Sequence, residues 1–295
     1  MKNQQRQDDL LDTKEAATIK AYFEKQLNTI ETILKKRHRK VSKEDIHKLR
    51  VAVKKIKCVS ALVLFCEPDF RRKKFMKWFK KIFTAAGKLR ELQLEISRLK
   101  KLQLSGSLKD YQGHMKKLLK KKKDFFFSLA NGRLRRKLKK RSKIIYPFFE
   151  AVNKIAINKY LEEKTREITS IMESKNLKEK EAHRLRKLLK EFYYSISIFG
   201  LKDKQFKNIA GYQELLGQWH NDVVLVGFLE KAIDTDDEGK KELKIIKDAR
   251  NQISSEGKML FEKIKAGLQS IDSSLLKFES RGRMLQQPGR YSEIR

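Results

Sequence analysis

Cysteine and proline are nearly missing from this chain, and carboxylates are too few to balance its cations. Of 295 residues only two are cysteine and three are proline. Cys58 and Cys66 are eight residues apart; on one helix that spacing separates their Cα atoms by roughly 12 Å, beyond disulfide reach. A reducing compartment fits such a chain. Scarce proline argues against linker-like coil and for long packed elements. No stretch reaches the roughly 18 apolar residues of a membrane span, and residues 1–20 are too polar for a signal peptide, so a cytoplasmic protein is expected. The chain contains neither a G-x-x-x-x-G-K-S/T loop nor a C-x-x-C pair, which removes the commonest nucleotide and zinc signatures.

The present residues are dominated by positive charge. The 71 Lys and Arg stand against 37 Asp and Glu, a formal net charge of +34. No internal pairing can absorb that surplus, so the partner should be anionic. With 40% apolar residues and 17 Phe, the chain can still bury a core.

Apolar residues recur at helical spacing, as in Ile19, Tyr22, Phe23, Leu27, Ile30, Ile33 and Leu34, and no comparable stretch alternates with period two. The pattern predicts an all-α fold of about ten helices. Ser42 with Asp45 makes a capping box ahead of the second helix, and Glu67-Pro68-Asp69 ends it. Further breaks are expected at Ser105-Gly106-Ser107, Asn131-Gly132, Pro147, Gly200 and residues 234–239. In the segment from Lys116 to Lys143 half of the residues are lysine or arginine, and Asp124 is the single carboxylate. Its Phe125, Phe126 and Phe127 read as core. Residues 280–295 hold glycine, paired glutamine and proline with little periodicity, and a mobile tail is expected there.

One pattern occurs twice. Residues 46–54 and 182–190 both read H-x-L-R-x-x-x-K within an apolar helical run, with His47 and His183 in the same place. A second shared signal, led by Gly87 in one copy and Gly217 in the other, follows each row further along. The glycines are separated by less sequence than the histidines, so the connecting helices differ in length. The repetition predicts two similar helical bundles, about residues 14–145 and 148–279, related by a pseudo-twofold axis within one helical domain spanning residues 1–279. The repeated rows should face each other across the junction.

At about 100° per residue, His47, Arg50, Lys54 and Lys57 fall within an arc of roughly 80°, beside the apolar sector of Leu49, Val53 and Ile56. His183, Arg186, Lys190 and Tyr193 repeat the geometry on the later helix, with Lys187 adding charge. A row of four groups over roughly 15 Å can meet an extended chain of charges. Arginine offers a forked donor to paired oxygens, lysine a mobile point charge, and histidine a donor whose charge rises beside an anion. Such a mixture suits phosphate. In the glycine-led signals Lys88 and Arg90 add cations, glycine could let helices approach closely, and Glu91 and Asp222 are candidate carboxylates for fixing cation rotamers. His220, near Asp222, reads as packing rather than as a metal ligand, and no metal or other cofactor is expected.

This ordered set resembles the conserved-histidine α-helical domain, the CHAD family, over about residues 43–261. Its first motif is matched by His47, Arg50 and Lys54, its second by His183, Arg186, Lys190 and Tyr194. The glycine-led motifs are matched by Gly87-Lys88-Leu89-Arg90-Glu91 and Gln213-Glu214-Leu215-Leu216-Gly217. The chain departs from the family pattern in having Tyr193 where arginine is usual and Asn221 where the second acidic residue is usual, with Asp222 one step later. The resemblance implies two bundles around a central basic cavity that binds inorganic polyphosphate without catalysis, and association with polyphosphate granules would follow. Some family members carry a fused triphosphate-hydrolysing domain with an E-x-E-x-K strand; here Glu179-Lys180-Glu181 runs on to Ala182-His183 and opens a helix instead. Nucleic acid, RNA above all, is the alternative ligand or a secondary one. Against it stands the absence of aromatics interleaved with the basic rows.

Overall fold

A computed structural model describes residues 2–37, 40–101, 107–174, 177–200, 205–235 and 240–269. The expected tail at 280–295, the end of the second repeat and parts of the breaks near 105 and 236 lie outside the described residues. Among the described residues are nine α-helices and no strand. They are α1 (Lys2–Lys35), α2 (Lys43–Cys66), α3 (Arg72–Lys101), α4 (Lys109–Leu129), α5 (Gly132–Ser142), α6 (Lys154–Met172), α7 (Glu179–Ile198), α8 (Gln205–Thr235) and α9 (Lys240–Gln269), with a 3-10 turn at Tyr146–Phe148 between α5 and α6.

Local chemistry sets the helix ends. Ser42 Oγ accepts from the Asp45 amide at 3.0 Å, and Asp45 Oδ2 accepts from the Ser42 amide at 2.9 Å. This closes the expected capping box and satisfies donors that the first turn of α2 would leave orphaned. Lys36 adds an ion pair to Asp45 at 2.6 Å. Asn131 and Asn153 cap α5 and α6 in the same manner. Gly200, with φ of 68°, takes the left-handed turn after α7 that a side chain would disfavour. Cys58 and Cys66 are both free thiols on α2.

The helix neighbours obey a pseudo-twofold exchange. α1 packs on α2 as α6 packs on α7; α2 on α3 as α7 on α8; α3 on α4 as α8 on α9. Across the junction α2 meets α7 and α1 meets α6, while α2 touches α6 as α7 touches α1. That reciprocity is the signature of a self-complementary interface, here within one chain. α5, which packs on α3 and α1, has no counterpart among the described residues of the second repeat.

Both repeats feed the same two apolar cores. The larger gathers α1, α2, α5, α6 and α7 with Phe75, Phe79, Ile82 and Leu89 of α3 and Leu216 and Trp219 of α8. The smaller gathers Leu92 and Leu99 of α3, Leu225 and Leu229 of α8, and parts of α4 and α9. Along α3 the cores therefore part at Arg90-Glu91, and along α8 at residues 220–224. The polar site lies at this seam, where two long helices pass from one core to the other.

Of the three consecutive phenylalanines, Phe126 is buried and Phe127 packs on the main core, but Phe125 is 54% exposed, contrary to the expectation that all three are core. Consecutive residues point about 100° apart on a helix, and α4 has only one buried face for them.

Candidate functional site

The rows of α2 and α7 are carried on the flanks of buried apolar faces. Ile46, Leu49, Val53 and Ile56 hold α2 against the core, and Leu185, Leu189, Phe192 and Ile196 do so for α7. The same faces drive α2 against α7, so the adjacent polar rows converge.

Their convergence is recorded in the electrostatics. Burial, followed by the charges of Lys190, Arg50 and Arg186, pulls the Lys54 ammonium down to about 8. Two of those three cations belong to the other repeat. Burial and Arg186 bring Lys190 down to about 8 as well. Burial lowers the His47 imidazole, reinforced by Arg90, Lys54 and Arg50 against the opposing charge of Glu44. Burial, Lys187 and Arg186 lower His183 against Glu179. Each is a cation or potential cation held in an environment that disfavours its charge.

Arg50 has a built seat. Its guanidinium lies 4.3 Å from the Phe83 ring centroid, and Nη1 donates to the Phe83 carbonyl at 3.0 Å. A Cβ on Gly87 would come within 2.3 Å of Nη1. The sequence suggested close helix approach at this glycine; what it admits is the arginine side chain. Glu91 is exposed and favours the Arg50 charge, in keeping with an orienting role. Gly217, by contrast, has no neighbour from another element within 4 Å of a Cβ position among the described residues.

The second repeat is built differently. The His183 ring lies 4.5 Å from Trp219 and 5.0 Å, edge to face, from His220, and Trp219 stacks on Phe261 at 5.2 Å. Arg186 Nε and His220 Nδ1 are buried without a hydrogen-bond partner among the described residues. Burial and the charges of Arg186, His183, Lys190 and Lys187 push His220 down to about 4. Asp222 pairs with Arg98 of α3, so its observed partner is a cation of the other repeat rather than one of the α7 row.

The structure thus gathers His47, Arg50, Lys54, Arg90, His183, Arg186, Lys187 and Lys190 into one field. Lys57 and Lys88 are exposed and are not among the charges acting on His47, Lys54 or Lys190, so they stand at its margin. Two participants escaped the sequence reading. His220 follows Gly217 at the same spacing as Arg90 follows Gly87, so the glycine-led repeat itself carried its signal. Arg98 had no such signal. The arrangement can hold an extended anion by donors from both repeats; it offers no paired carboxylates for proton transfer among the gathered groups.

No described helix is long and apolar enough to cross a membrane. The family model described as CHAD domain matches residues 21–230. The fold is similar to that of a CHAD domain from the plant Ricinus communis, with a TM-score of 0.70 and 17% identity over 89% of this chain and 93% of that one. No curated protein sequence matches the chain.

Proposed function

The chain belongs to the CHAD family, and from that premise we propose that it binds inorganic polyphosphate, without catalysis, in a basic hollow between its two repeats. The observation that carries this reading is the packing of α2 on α7, which buries Lys54 and sets Lys190 and Arg186 of the opposite repeat, with Arg50, around it. Cations crowded from two directions raise the energy of the free protein, and a polyanion relieves it. The buried Nε of Arg186 has no acceptor among the described residues, an unsatisfied donor whose cost a phosphate oxygen reaching it would remove.

A chain of phosphates fits better than a single small anion because each row extends roughly 15 Å along its helix. It fits better than nucleic acid because Trp219 is buried and already stacked on Phe261, which leaves the exposed Tyr193 as a single ring beside the rows rather than a series of platforms for successive bases among the described residues. We place the protein in the cytoplasm, at polyphosphate granules where these exist, with RNA as a weaker secondary ligand.

Competition titration at near-physiological salt tests the proposal. Polyphosphate is expected to displace RNA of equal charge, and saturating polyphosphate is expected to raise Tm because it binds only the folded state. Ready displacement of polyphosphate by RNA, or unchanged affinity after neutralising both Arg50 and Arg186, overturns it.

A further inference from the structure

The helix that carries Lys88 and Arg90 to the seam is cationic along its outer face as well. Between Asp69 and Glu91 the sequence has no carboxylate, and there is none from Phe125 to Phe149. Lys73, Lys77, Lys80, Lys81, Thr84 and Lys88 are all exposed, and at 100° per residue they occupy about 100° of one face of α3 over about 22 Å of its length. This basic face begins at the margin of the candidate site and continues away from it, with the uncharged Thr84 between Lys88 and Lys81 and no carboxylate along it.

At its far end it meets a second basic face. Arg133, Arg136, Lys137 and Lys140 share about 100° of arc on α5, which packs on α3. The two faces meet at the half-buried Trp78. Lys137 Nζ lies 4.0 Å from the indole centroid, Lys81 Nζ 5.5 Å and Lys77 Nζ 5.8 Å. Among the described residues none of these lysines has an ion pair. Three ammonium groups share one aromatic ring, and cation–π attraction at exposed sites is weak beside a charge-assisted bond to phosphate.

We propose that the outer face of α3, joined by α5 around Trp78, is an external track that takes up polyphosphate protruding from the hollow and makes the protein selective for long chains. The inference rests on the polyphosphate reading of the central site and adds a chain-length specificity to it. Continuity carries the argument: one helix face supplies cations from Lys88 to Lys73, with no carboxylate in that stretch to attract a different kind of partner.

The test compares tripolyphosphate, short enough for the hollow, with long-chain polyphosphate on wild type and on Lys77→Ala/Lys81→Ala/Lys137→Ala. The triple variant should keep wild-type affinity for tripolyphosphate, lose about tenfold on the long chain, and show a shallower dependence on salt. Indole fluorescence supplies a second readout: long chains should alter an emission component that Trp78→Phe abolishes, and tripolyphosphate should not. Unchanged long-chain affinity, or equal losses on both ligands, overturns the track. RNA altering the Trp78 emission where long polyphosphate does not also overturns it, in favour of a nucleic-acid surface. If wild type ignores tripolyphosphate but binds long chains through these lysines, the central reading fails, and with it the extension from the hollow, and the face of α3 and α5 is a site in its own right. If no polyphosphate binds, both fail.

Discussion

In the first repeat Arg50 rests on the backbone of α3, donating to the Phe83 carbonyl over a glycine that leaves room for it. Among the described residues of the second repeat, Arg186, at the equivalent place, has a buried Nε without a partner, and nothing lies within 4 Å of a Cβ position on the corresponding Gly217. His47 has Arg90 among its neighbours, where His183 has His220. Duplication therefore preserved the cationic row but not its support. The first repeat presents a fixed cation. The second presents an under-satisfied one beside two titratable rings, so more of its charge depends on pH.

The largest effect expected is on the row itself. Removing both guanidinium groups, Arg50→Ala/Arg186→Ala, should weaken polyphosphate binding about 100-fold, since each charge-assisted bond contributes on the order of 1.5 kcal/mol. The single variants separate the repeats: Arg50→Ala should lower the stability of the free protein by about 1 kcal/mol because the Phe83 carbonyl loses its side-chain donor, whereas Arg186→Ala should not destabilise it. Equal denaturation midpoints for the two would erase the distinction.

The glycines give the next contrast. Gly87→Ala should displace Arg50 and cost about tenfold in affinity by titration calorimetry, one charge-assisted contact being lost. Gly217→Ala should leave affinity unchanged and stabilise the helix by about 0.5 to 1 kcal/mol. A matched loss from both substitutions would show that the two glycines do the same work.

Lys54 has three cationic neighbours, Lys190, Arg50 and Arg186, and Lys190 has two, Arg186 and, reciprocally, Lys54. Replacement by methionine should accordingly stabilise the free protein more at Lys54, by about 1 kcal/mol, while weakening the ligand complex. Both ammonium groups are held near 8 against an ordinary 10.5. The unfolded chain therefore binds more protons between those values, and stability rises as pH increases through that window. Burial of the Cys58 and Cys66 thiols, which raises both, opposes this over the same window, so thermal melts from pH 8 to 10 should show the lysine contribution as a difference, Tm gaining less or losing more with pH in either variant than in wild type.

The smallest effect separates the repeats by pH. His220 is held near 4 against an ordinary 6.5, so the unfolded state takes up more protons in that interval and stability falls as pH drops through it. His220→Gln should flatten the Tm loss between those limits. An unaltered slope would remove the titratable character assigned to the second repeat.

Ligand-directed features were legible where they were local. The row His47, Arg50, Lys54 and its copy needed only helical spacing, and the Ser42–Asp45 cap needed only a three-residue separation. Phe125 misled because a run of three aromatics reads as core even though a helix turns one of them outward. His220 read as packing because its histidine type hid its equivalence to Arg90. The partner of Asp222, remote in sequence on α3, had no trace in spacing at all.

By itself the sequence determined the helices, their duplication and the cationic rows beside apolar faces, because each depends on periodicity within a few turns of one helix. Only the tertiary structure decided that Lys54 shares a field with Lys190 and Arg186, that Arg50 sits in the space left by Gly87, and that Asp222 pairs with Arg98. Those outcomes depend on which groups remote in sequence are brought together when two apolar cores close on either side of a polar seam. Coulombic coupling and desolvation depend on distance and burial, and neither exists until the chain has packed.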